Sequence, residues 1–348
     1  MNAREPSQAA PEPVAALRRI AFLLERTRAE THRVKAFRGA AATVLTLDAA
    51  ELASRGEAGT LRELPGIGSV TEEVIGESLA GRVPAYLVRL ERDAAGPLAE
   101  GGEELRSALR GDLHSHSDWS DGGSPIEEMA FTAIEIGHEY LVLTDHSPRL
   151  KVARGLSAER LVRQLGIIDA INDHLGEQFR LLKGIEVDIL DDGALDQTDE
   201  LLGRLDLVVA SVHSKLRLPS DAMTRRMLAA VAHPRTDVLG HCTGQLVTGG
   251  RGTRPQSEFD AKAVFEACAE HQVAVEINSR PERSDPPDEL IGLAMRAGCL
   301  FSIDSDAHAP GQLDFVDYGC ARAQRLEIPA ERVVNTWTMD RLLTWSTR

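Results

Sequence analysis

The feature that most constrains the fold is the alternation of strand and helix patterns beyond residue 110. Seven apolar segments are typical of buried strands: "GDLHSH", "EYLVLTDH", "RLLKGIEVDI", "LDLVVASVH", "TDVLGH", "VAVEIN" and "LFSIDSDAH". Helical stretches such as "SPIEEMAFTAIEIG" and "SAERLVRQLGIIDAINDHLG" lie between them. This alternation predicts parallel strands joined by crossover helices. About seven such units in roughly 240 residues predict an α/β fold, a distorted (β/α)7 barrel resembling a TIM barrel.

The residues before this region have a different pattern. "VAALRRIAFLLERTRAE" and "HRVKAFRGAAATVLTL" place apolar residues at helical spacing. In "LRELPGIGSVTEEVIGESL", a Pro-Gly-Ile-Gly turn separates two helices. The sequence therefore predicts a disordered tail over residues 1–13, a small all-α domain over 14–90, a linker over the Gly- and Ala-rich residues 91–110, and the barrel over 111–348.

Composition excludes several classes of protein. The formal net charge of -15 argues against a protein that coats nucleic acid by charge alone, and the 4% aromatic content argues against a broad base-stacking surface. No apolar run approaches the roughly 20 residues of a membrane span. The four scattered cysteines suit a reducing compartment, so we expect a cytoplasmic protein.

Residues able to bind metal follow the predicted strands. The strand ends carry His114 and His116, His146, Glu186 and Asp188, His213, His241, and Asp306 and His308. Because the carboxyl ends of parallel barrel strands converge on one face, these side chains are expected to form one cluster. Six of the eleven histidines lie at such positions, which is difficult to explain by chance.

The cluster has more donors than one zinc ion uses, because a catalytic zinc takes about three protein ligands. Two or three divalent ions are therefore expected. Imidazole and carboxylate donors without thiolate favour zinc, manganese or iron over copper(I) or an iron–sulfur cluster. A centre of this kind activates water and stabilises charge on a phosphoryl oxygen, so the predicted chemistry is phosphate-ester hydrolysis.

These motifs, from "GDLHSHSDWSDG" through "SIDSDAH", resemble the polymerase and histidinol phosphatase (PHP) superfamily, most closely the PHP domain at the C-terminus of bacterial family X DNA polymerases. The resemblance implies catalysis through a metal cluster that includes His114, His116, Glu186, Asp306 and His308, with Glu186 bridging two ions. The implied ligand set is His114, His116, Asp121, His146, Glu186, His213, His241, Asp306 and His308.

The N-terminal segments "KAFRGAA" and "LRELPGIGSVTEEVIGESL" resemble the helical lyase-like domain and helix-hairpin-helix of the same polymerases. The resemblance implies that the backbone of Gly66, Ile67 and Gly68 contacts a DNA phosphate. Val74 stands where the family's lyases have a Schiff-base lysine, so we expect no lyase activity. A nucleotidyltransferase palm is missing between the hairpin and Gly111, so we expect no polymerase activity.

The predicted function is therefore a phosphoesterase acting on DNA ends, as a 3'-5' exonuclease or a 3'-end-processing enzyme. Arg149, Lys215 and Arg280 are candidates to hold the substrate phosphate. DNA-repair or replication proteins are candidate partners, and the oligomeric state and the native metal stay open. Two alternatives are a small-molecule phosphomonoesterase of the histidinol phosphatase type and a non-enzymatic DNA-repair binding protein.

Overall fold

The computed structural model describes residues 10–177, 179–250 and 252–347. It divides into two compact units, Met1–Gly96 and Pro97–Arg348. Most of the predicted disordered tail lies outside the described residues, and the first helix begins at the last residue of that tail, Pro13. No helix in the described ranges is both long and apolar enough to cross a membrane.

The described part of the first unit is helical, with α1 (Pro13–Arg26), α2 (Thr31–Leu45), α3 (Ala49–Ala58), α4 (Ser69–Leu79) and α5 (Ala85–Asp93). In α1, Leu17, Ile20 and Leu24 recur at helical spacing and are buried. The side chain of Asp48 accepts a hydrogen bond from the Glu51 amide at 2.8 Å and so caps the start of α3. An apolar stripe thus stabilises α1, and a side-chain cap stabilises the start of α3.

The Pro-Gly-Ile-Gly turn packs against α2. Thr43 Oγ1 donates a hydrogen bond to the Pro65 carbonyl at 2.8 Å. Gly66 has φ 80°, a left-handed conformation that favours glycine. Val74, which the resemblance aligns with the lyase lysine, is buried within α4.

Two of the three backbone amides expected to contact DNA are used inside the unit. The Ile67 amide donates to the Leu64 carbonyl at 3.3 Å, and the Gly68 amide donates to Thr71 Oγ1 at 2.9 Å. The expectation that the whole turn offers its amides to a phosphate therefore does not hold for Ile67 and Gly68, because the turn satisfies them itself.

The second unit contains a seven-stranded parallel sheet in the order β1 to β7. The strands are β1 (Gly111–Ser115), β2 (Tyr140–Leu143), β3 (Arg180–Asp188), β4 (Leu207–Ser211), β5 (Val238–Leu239), β6 (Ala274–Asn278) and β7 (Phe301–Asp304). The last strand region returns to the first, since the His116 amide donates to the Ala307 carbonyl at 2.8 Å. The predicted distorted (β/α)7 barrel is confirmed.

The helices of this unit are α6 (Glu103–Ala108), α7 (Ile126–Glu135), α8 (Ala158–Asn172), α9 (Asp199–Leu202), α10 (Ser220–Val231), α11 (Ala261–Glu270), α12 (Asp288–Ala297), α13 (Val316–Arg325) and α14 (Met339–Ser346). Apolar strand residues such as Ile185 and Ile277 pack with helix residues such as Met227 and Phe265 in the main core. Burial on both faces explains why the strands read as nearly continuous apolar runs.

The segment predicted as a linker is helical at both of its parts nearest the two units, residues 91–93 and 103–108. Residues 91–93 complete α5, and α6 buries Leu105 against the barrel core. Gly102 has φ 88°, and a Cβ there would lie 2.5 Å from the Ala321 backbone nitrogen. Sequence composition suggested flexibility, whereas this glycine is needed for close backbone packing against α13.

A buried histidine outside the strand ends predicts a pH-dependent stability. His138 is 4% exposed, and neither ring nitrogen has a hydrogen-bond partner among the described residues. Burial, followed by the charge of Arg106, lowers the pKa of His138 to about 3. Below about pH 6.5 the unfolded chain therefore takes up a proton that the folded chain does not. The stability of the folded protein decreases as the pH decreases.

We expect this one group to lower the free energy of unfolding by about 1.4 kcal/mol per pH unit between roughly pH 6 and 4. A His138→Leu variant should show a shallower pH dependence by that amount in urea titrations of metal-free protein. His174→Leu, which replaces an exposed imidazole, controls for the loss of a histidine as such. Equal slopes for His138→Leu and the wild type would contradict the prediction.

Candidate metal centre

Glu186, on β3, lies at the centre of the cluster and is 1% exposed. Five imidazoles surround its carboxylate. Oε1 lies 3.1 Å from His213 Nε2 and 2.8 Å from His241 Nε2, and Oε2 lies 2.7 Å from His146 Nδ1, 3.4 Å from His114 Nε2 and 3.6 Å from His116 Nε2. One carboxylate thus faces donors from the ends of four other strands.

The remaining predicted ligands, Asp121, Asp306 and His308, lie next to this group. Asp121 Oδ1 is 3.3 Å from His146 Nε2 and 3.4 Å from His308 Nε2. Asp306 Oδ1 is 3.4 Å from His116 Nε2 and 3.5 Å from His308 Nδ1. The structure therefore brings all nine predicted ligands into one cluster. The Asp121 side chain is 37% exposed, so the cluster opens to solvent at this point.

The donor atoms fit divalent metal ions. Buried atoms with no hydrogen-bond partner among the described residues include His114 Nε2, both ring nitrogens of His116, His146 Nδ1 and both carboxylate oxygens of Glu186. Buried polar atoms are rarely left without a hydrogen-bond partner. Atoms that bind a metal ion are an exception, because the ion takes the place of that partner. Three groups have donor atoms within 4.8 Å of one another: His116, Asp121, His146 and His308; His114, His116 and Glu186; and His146, Glu186 and His213.

The electrostatics of the cluster are those of closely packed opposite charges. Burial works to raise the pKa of Glu186, but His213, His146 and His114 hold it well below its usual value. Burial works to lower the pKa of His146, but Glu186 and Asp121 raise it to about 10. For His116, burial and the neighbouring His308 and His146 lower the pKa. A carboxylate at the centre therefore stays ionised and able to bind a cation.

Glu276, on β6, orients one of the histidines and was missed in the sequence. Its Oε1 lies 2.6 Å from His114 Nδ1, and its Oε2 accepts hydrogen bonds from the His241 amide and from Asn278 Nδ2. With Nδ1 held in this way, His114 directs Nε2 toward Glu186. The available signal was a carboxylate between apolar residues in "VAVEIN", because a buried charge needs a partner.

Asp145 fixes the loop that bears Asp121. Its carboxylate accepts from the Ser117 amide at 2.9 Å, from Ser117 Oγ at 2.6 Å and from Gln164 Nε2 at 2.6 Å. The residue is buried beside His146. The "TDH" sequence thus supplies one predicted ligand and one residue that positions the loop carrying another.

A pocket of about 250 Å³ opens over the cluster. Its lining includes Asp121, His146, Glu186, His213, His241, Asp306 and His308 together with Leu150, Val152, Leu216, Arg254, Arg280 and Arg283. The pocket therefore combines ionisable ligands, an apolar wall and three guanidinium groups. Small pockets of mixed character are typical of sites for small ligands or for one group of a larger one.

The structure separates the predicted phosphate-binding residues. Arg280 lines the pocket, whereas Arg149 and Lys215 are not among its lining residues. Lys215 has φ 52°, and its Nζ lies 2.5 Å from Asp191 Oδ2, so its charge is engaged away from the cluster. Position after a strand end could not reveal this, since a loop side chain can point in several directions.

Comparison with known proteins agrees with the geometry. Residues 112–280 match the PHP domain model and residues 8–83 match a helix-hairpin-helix domain model. The DNA polymerase/3'-5' exonuclease PolX of Bacillus subtilis (strain 168) is 40% identical over 227 residues, which are 65% of this chain and 39% of that protein. The chain thus spans about two fifths of the length of that relative.

Smaller relatives align over most of their length. The probable phosphatase TTE1963 of Caldanaerobacter subterraneus subsp. tengcongensis is 27% identical over 68% of this chain and 90% of that protein. The probable phosphatase YcdX of Escherichia coli (strain K12) is 28% identical over 64% of this chain and 89% of that protein. A solved histidinol phosphate phosphatase from Lactococcus lactis subsp. lactis Il1403 aligns with TM-score 0.43 and 18% identity over 63% of this chain and 92% of that one.

The cluster of imidazoles and carboxylates at the strand ends, together with the PHP domain match and the phosphatase relatives, identifies a metal-dependent phosphoesterase. Within this chain, residues 112–280 are a PHP domain, and a helix-hairpin-helix domain at residues 8–83 precedes it.

Proposed function

We propose that this protein hydrolyses phosphate ester bonds at DNA ends, as a 3'-5' exonuclease or a 3'-end-processing enzyme. The observation that carries the proposal is the Glu186 carboxylate, which faces five imidazoles at the floor of an open pocket. Similarity to a polymerase/exonuclease over 65% of the chain supports DNA as the substrate. We further propose that the protein does not polymerise DNA, because the described residues 84–111 between the two matched domains contain two short helices, α5 and α6, and no further domain.

The nine clustered residues are proposed to hold two or three divalent ions, with zinc, manganese or iron suited to these nitrogen and oxygen donors. Bound ions of this kind activate water and stabilise negative charge on phosphoryl oxygens. The chain itself keeps the donors oriented. Glu276 holds His114, and the Asp306 carbonyl lies 2.9 Å from His308 Nδ1, which leaves His308 Nε2 facing Asp121.

The mouth of the pocket can accommodate the organic group of a phosphate ester. Leu150, Val152 and Leu216 form its apolar lining, and Val152 is 89% exposed. Exposed Arg149 and Lys151 flank this lining along the chain. An apolar contact beside cations is suited to a sugar or base attached to a phosphate chain.

For DNA binding we propose the hairpin turn of the first unit. Because the Ile67 and Gly68 amides are already engaged, the contact is assigned to Gly66 and to the amides that begin α4, at Ser69 and Val70. Helix N-termini bind phosphates through such amides. Glu72 and Glu73 follow directly, so we expect weak binding by this unit alone.

A small-molecule phosphomonoesterase is the second candidate. The alignments with the probable phosphatases cover about nine tenths of those proteins. They cover only about two thirds of this chain. The PHP domain alone could therefore complete such an enzyme. This alternative predicts rapid hydrolysis of monoesters and no effect of DNA.

The experiment is cleavage of end-labelled single-stranded DNA and 3'-phosphate-blocked DNA by metal-reconstituted protein, with a His114→Ala, Asp306→Ala double variant as control. Stepwise loss of 3' nucleotides, or removal of the block, that is absent in the variant would support the proposal. Intact DNA with hydrolysis of histidinol phosphate would favour the alternative. Nucleotide incorporation on a primed template would contradict the absence of polymerase activity.

Replacing Glu276 with glutamine tests the orientation of His114. The amide preserves the volume but weakens the acceptor for His114 Nδ1, so we expect a loss of metal affinity of about 10- to 100-fold. The measurement is competition against a fluorescent chelator. Retention of wild-type metal affinity would show that His114 does not depend on Glu276.

A further inference from the structure

We propose that Arg283 is the residue that holds the non-bridging oxygens of the substrate phosphate. This inference rests on the proposed phosphoesterase function and assigns a specificity role that the sequence had divided among Arg149, Lys215 and Arg280. It makes no assumption about whether the ester belongs to DNA or to a small molecule.

The guanidinium of Arg283 uses only part of its hydrogen-bonding capacity within the described residues. Its side chain is 13% exposed and lines the pocket, and its Nε donates to Asp306 Oδ2 at 3.2 Å. Its two Nη groups make no hydrogen bond with the described residues. A guanidinium has five N–H donors, so four are left for a ligand. These donors form a fork that matches two oxygens of a phosphate.

Asp306 explains why Arg283 is held in this position. Its Oδ2 accepts from Arg283 Nε and from Asn278 Nδ2 at 3.1 Å, while its Oδ1 faces His116 and His308. The same carboxylate therefore connects the guanidinium to the metal centre. A phosphate held by the Nη groups would lie next to the clustered donors.

Arg280 is occupied differently. Its Nη1 donates to the Asp306 carbonyl at 2.9 Å and lies 3.0 Å from His308 Nδ1 and 3.4 Å from Gln312 Oε1. Its Nε lies 3.6 Å from Glu282. These contacts hold the segment that carries Asp306 and His308, so Arg280 is a positioning residue.

The test uses the full chain saturated with Mn²⁺ and measures binding of inorganic phosphate by calorimetry, a readout that requires no turnover. Arg283→Gln should weaken phosphate binding by about 10- to 100-fold, since hydrogen bonds to charged groups contribute about 1.5–3 kcal/mol. Arg283→Lys keeps a cation beside Asp306 but loses the fork. It should keep its bound metal and still bind phosphate about tenfold more weakly.

Two control variants separate phosphate binding by Arg283 from the general effect of removing a positive charge. Arg225→Gln removes an exposed cation that pairs with Asp221 at 3.0 Å and does not line the pocket, so its phosphate affinity at saturating Mn²⁺ should stay within twofold of the wild type. Lys215→Gln removes a cation that does not line the pocket and should behave in the same way. Metal content and circular dichroism establish that each variant is folded and loaded.

Two outcomes would overturn the inference. One is wild-type phosphate affinity in both Arg283 variants at saturating Mn²⁺, which would leave Arg283 with only its contact to Asp306. The other is no measurable phosphate binding by the wild type. Because DNA is not used, weakened phosphate binding in the Arg283 variants supports the inference even if the protein fails to cleave DNA ends.

Discussion

Replacing Glu186 with glutamine is expected to lower phosphate-ester hydrolysis on the order of 10³-fold, which corresponds to about 4 kcal/mol in the activation barrier. The substitution preserves shape but removes the negative charge that faces five imidazoles. Those rings would then have no central anion, and the ions proposed to bind there would lose a shared ligand. We expect the bound metal per chain to fall in parallel, as measured by inductively coupled plasma mass spectrometry.

Glu139→Gln is the control for this substitution. Glu139 is an exposed carboxylate that pairs with Arg110 at 2.6 Å, away from the pocket lining. Its replacement should leave metal content and turnover close to the wild type. If Glu186→Gln retained both full metal content and full turnover, the metal centre would have to be located elsewhere.

Replacing Arg226 with methionine is expected to destabilise the barrel by about 3–5 kcal/mol, because it removes the charged donor to the buried Ile189 carbonyl and to the partly buried Leu190 and Ser214 carbonyls. Arg226, on α10, is 1% exposed. Its Nε donates to the Leu190 carbonyl at 2.9 Å, and its Nη1 donates to the Ser214 carbonyl at 2.9 Å. These carbonyls follow Asp188 and His213 closely in sequence, so one side chain fixes two loops beside the metal centre.

For a domain of this size, the loss corresponds to a fall in Tm of roughly 6–20 °C. Arg225→Met, one residue earlier on the same helix, is the matched control. Arg225 is 70% exposed and pairs with Asp221 at 3.0 Å, so its loss should cost less than about 1 kcal/mol. Equal shifts in Tm for the two variants would show that the hydrogen bonds of Arg226 add no more to the stability of the barrel than the surface ion pair of Arg225.

The barrel was predictable because its signal is local and repeated. Each strand is a short apolar run buried on both faces, and regular crossovers make parallel pairing the consistent solution. The clustering of the predicted ligands follows from the same rule, because the carboxyl ends of parallel strands meet on one face. His114 and Asp306 lie far apart in the chain, yet their places at the ends of β1 and β7 were enough to predict that they come together.

Residues whose role depends on side-chain direction were not predictable in this way. Lys215 and Arg283 both follow strand ends as cations, but one pairs with Asp191 and the other enters the pocket. The Gly-rich segment before β1 suggested a linker, and only close packing against α13 shows why Gly102 is there. The sequence by itself determined the barrel and the candidate ligands, since periodicity and strand order are properties of the chain. Which charges line the pocket and which glycines permit close contact follow only from the tertiary structure, because both depend on neighbours distant in sequence.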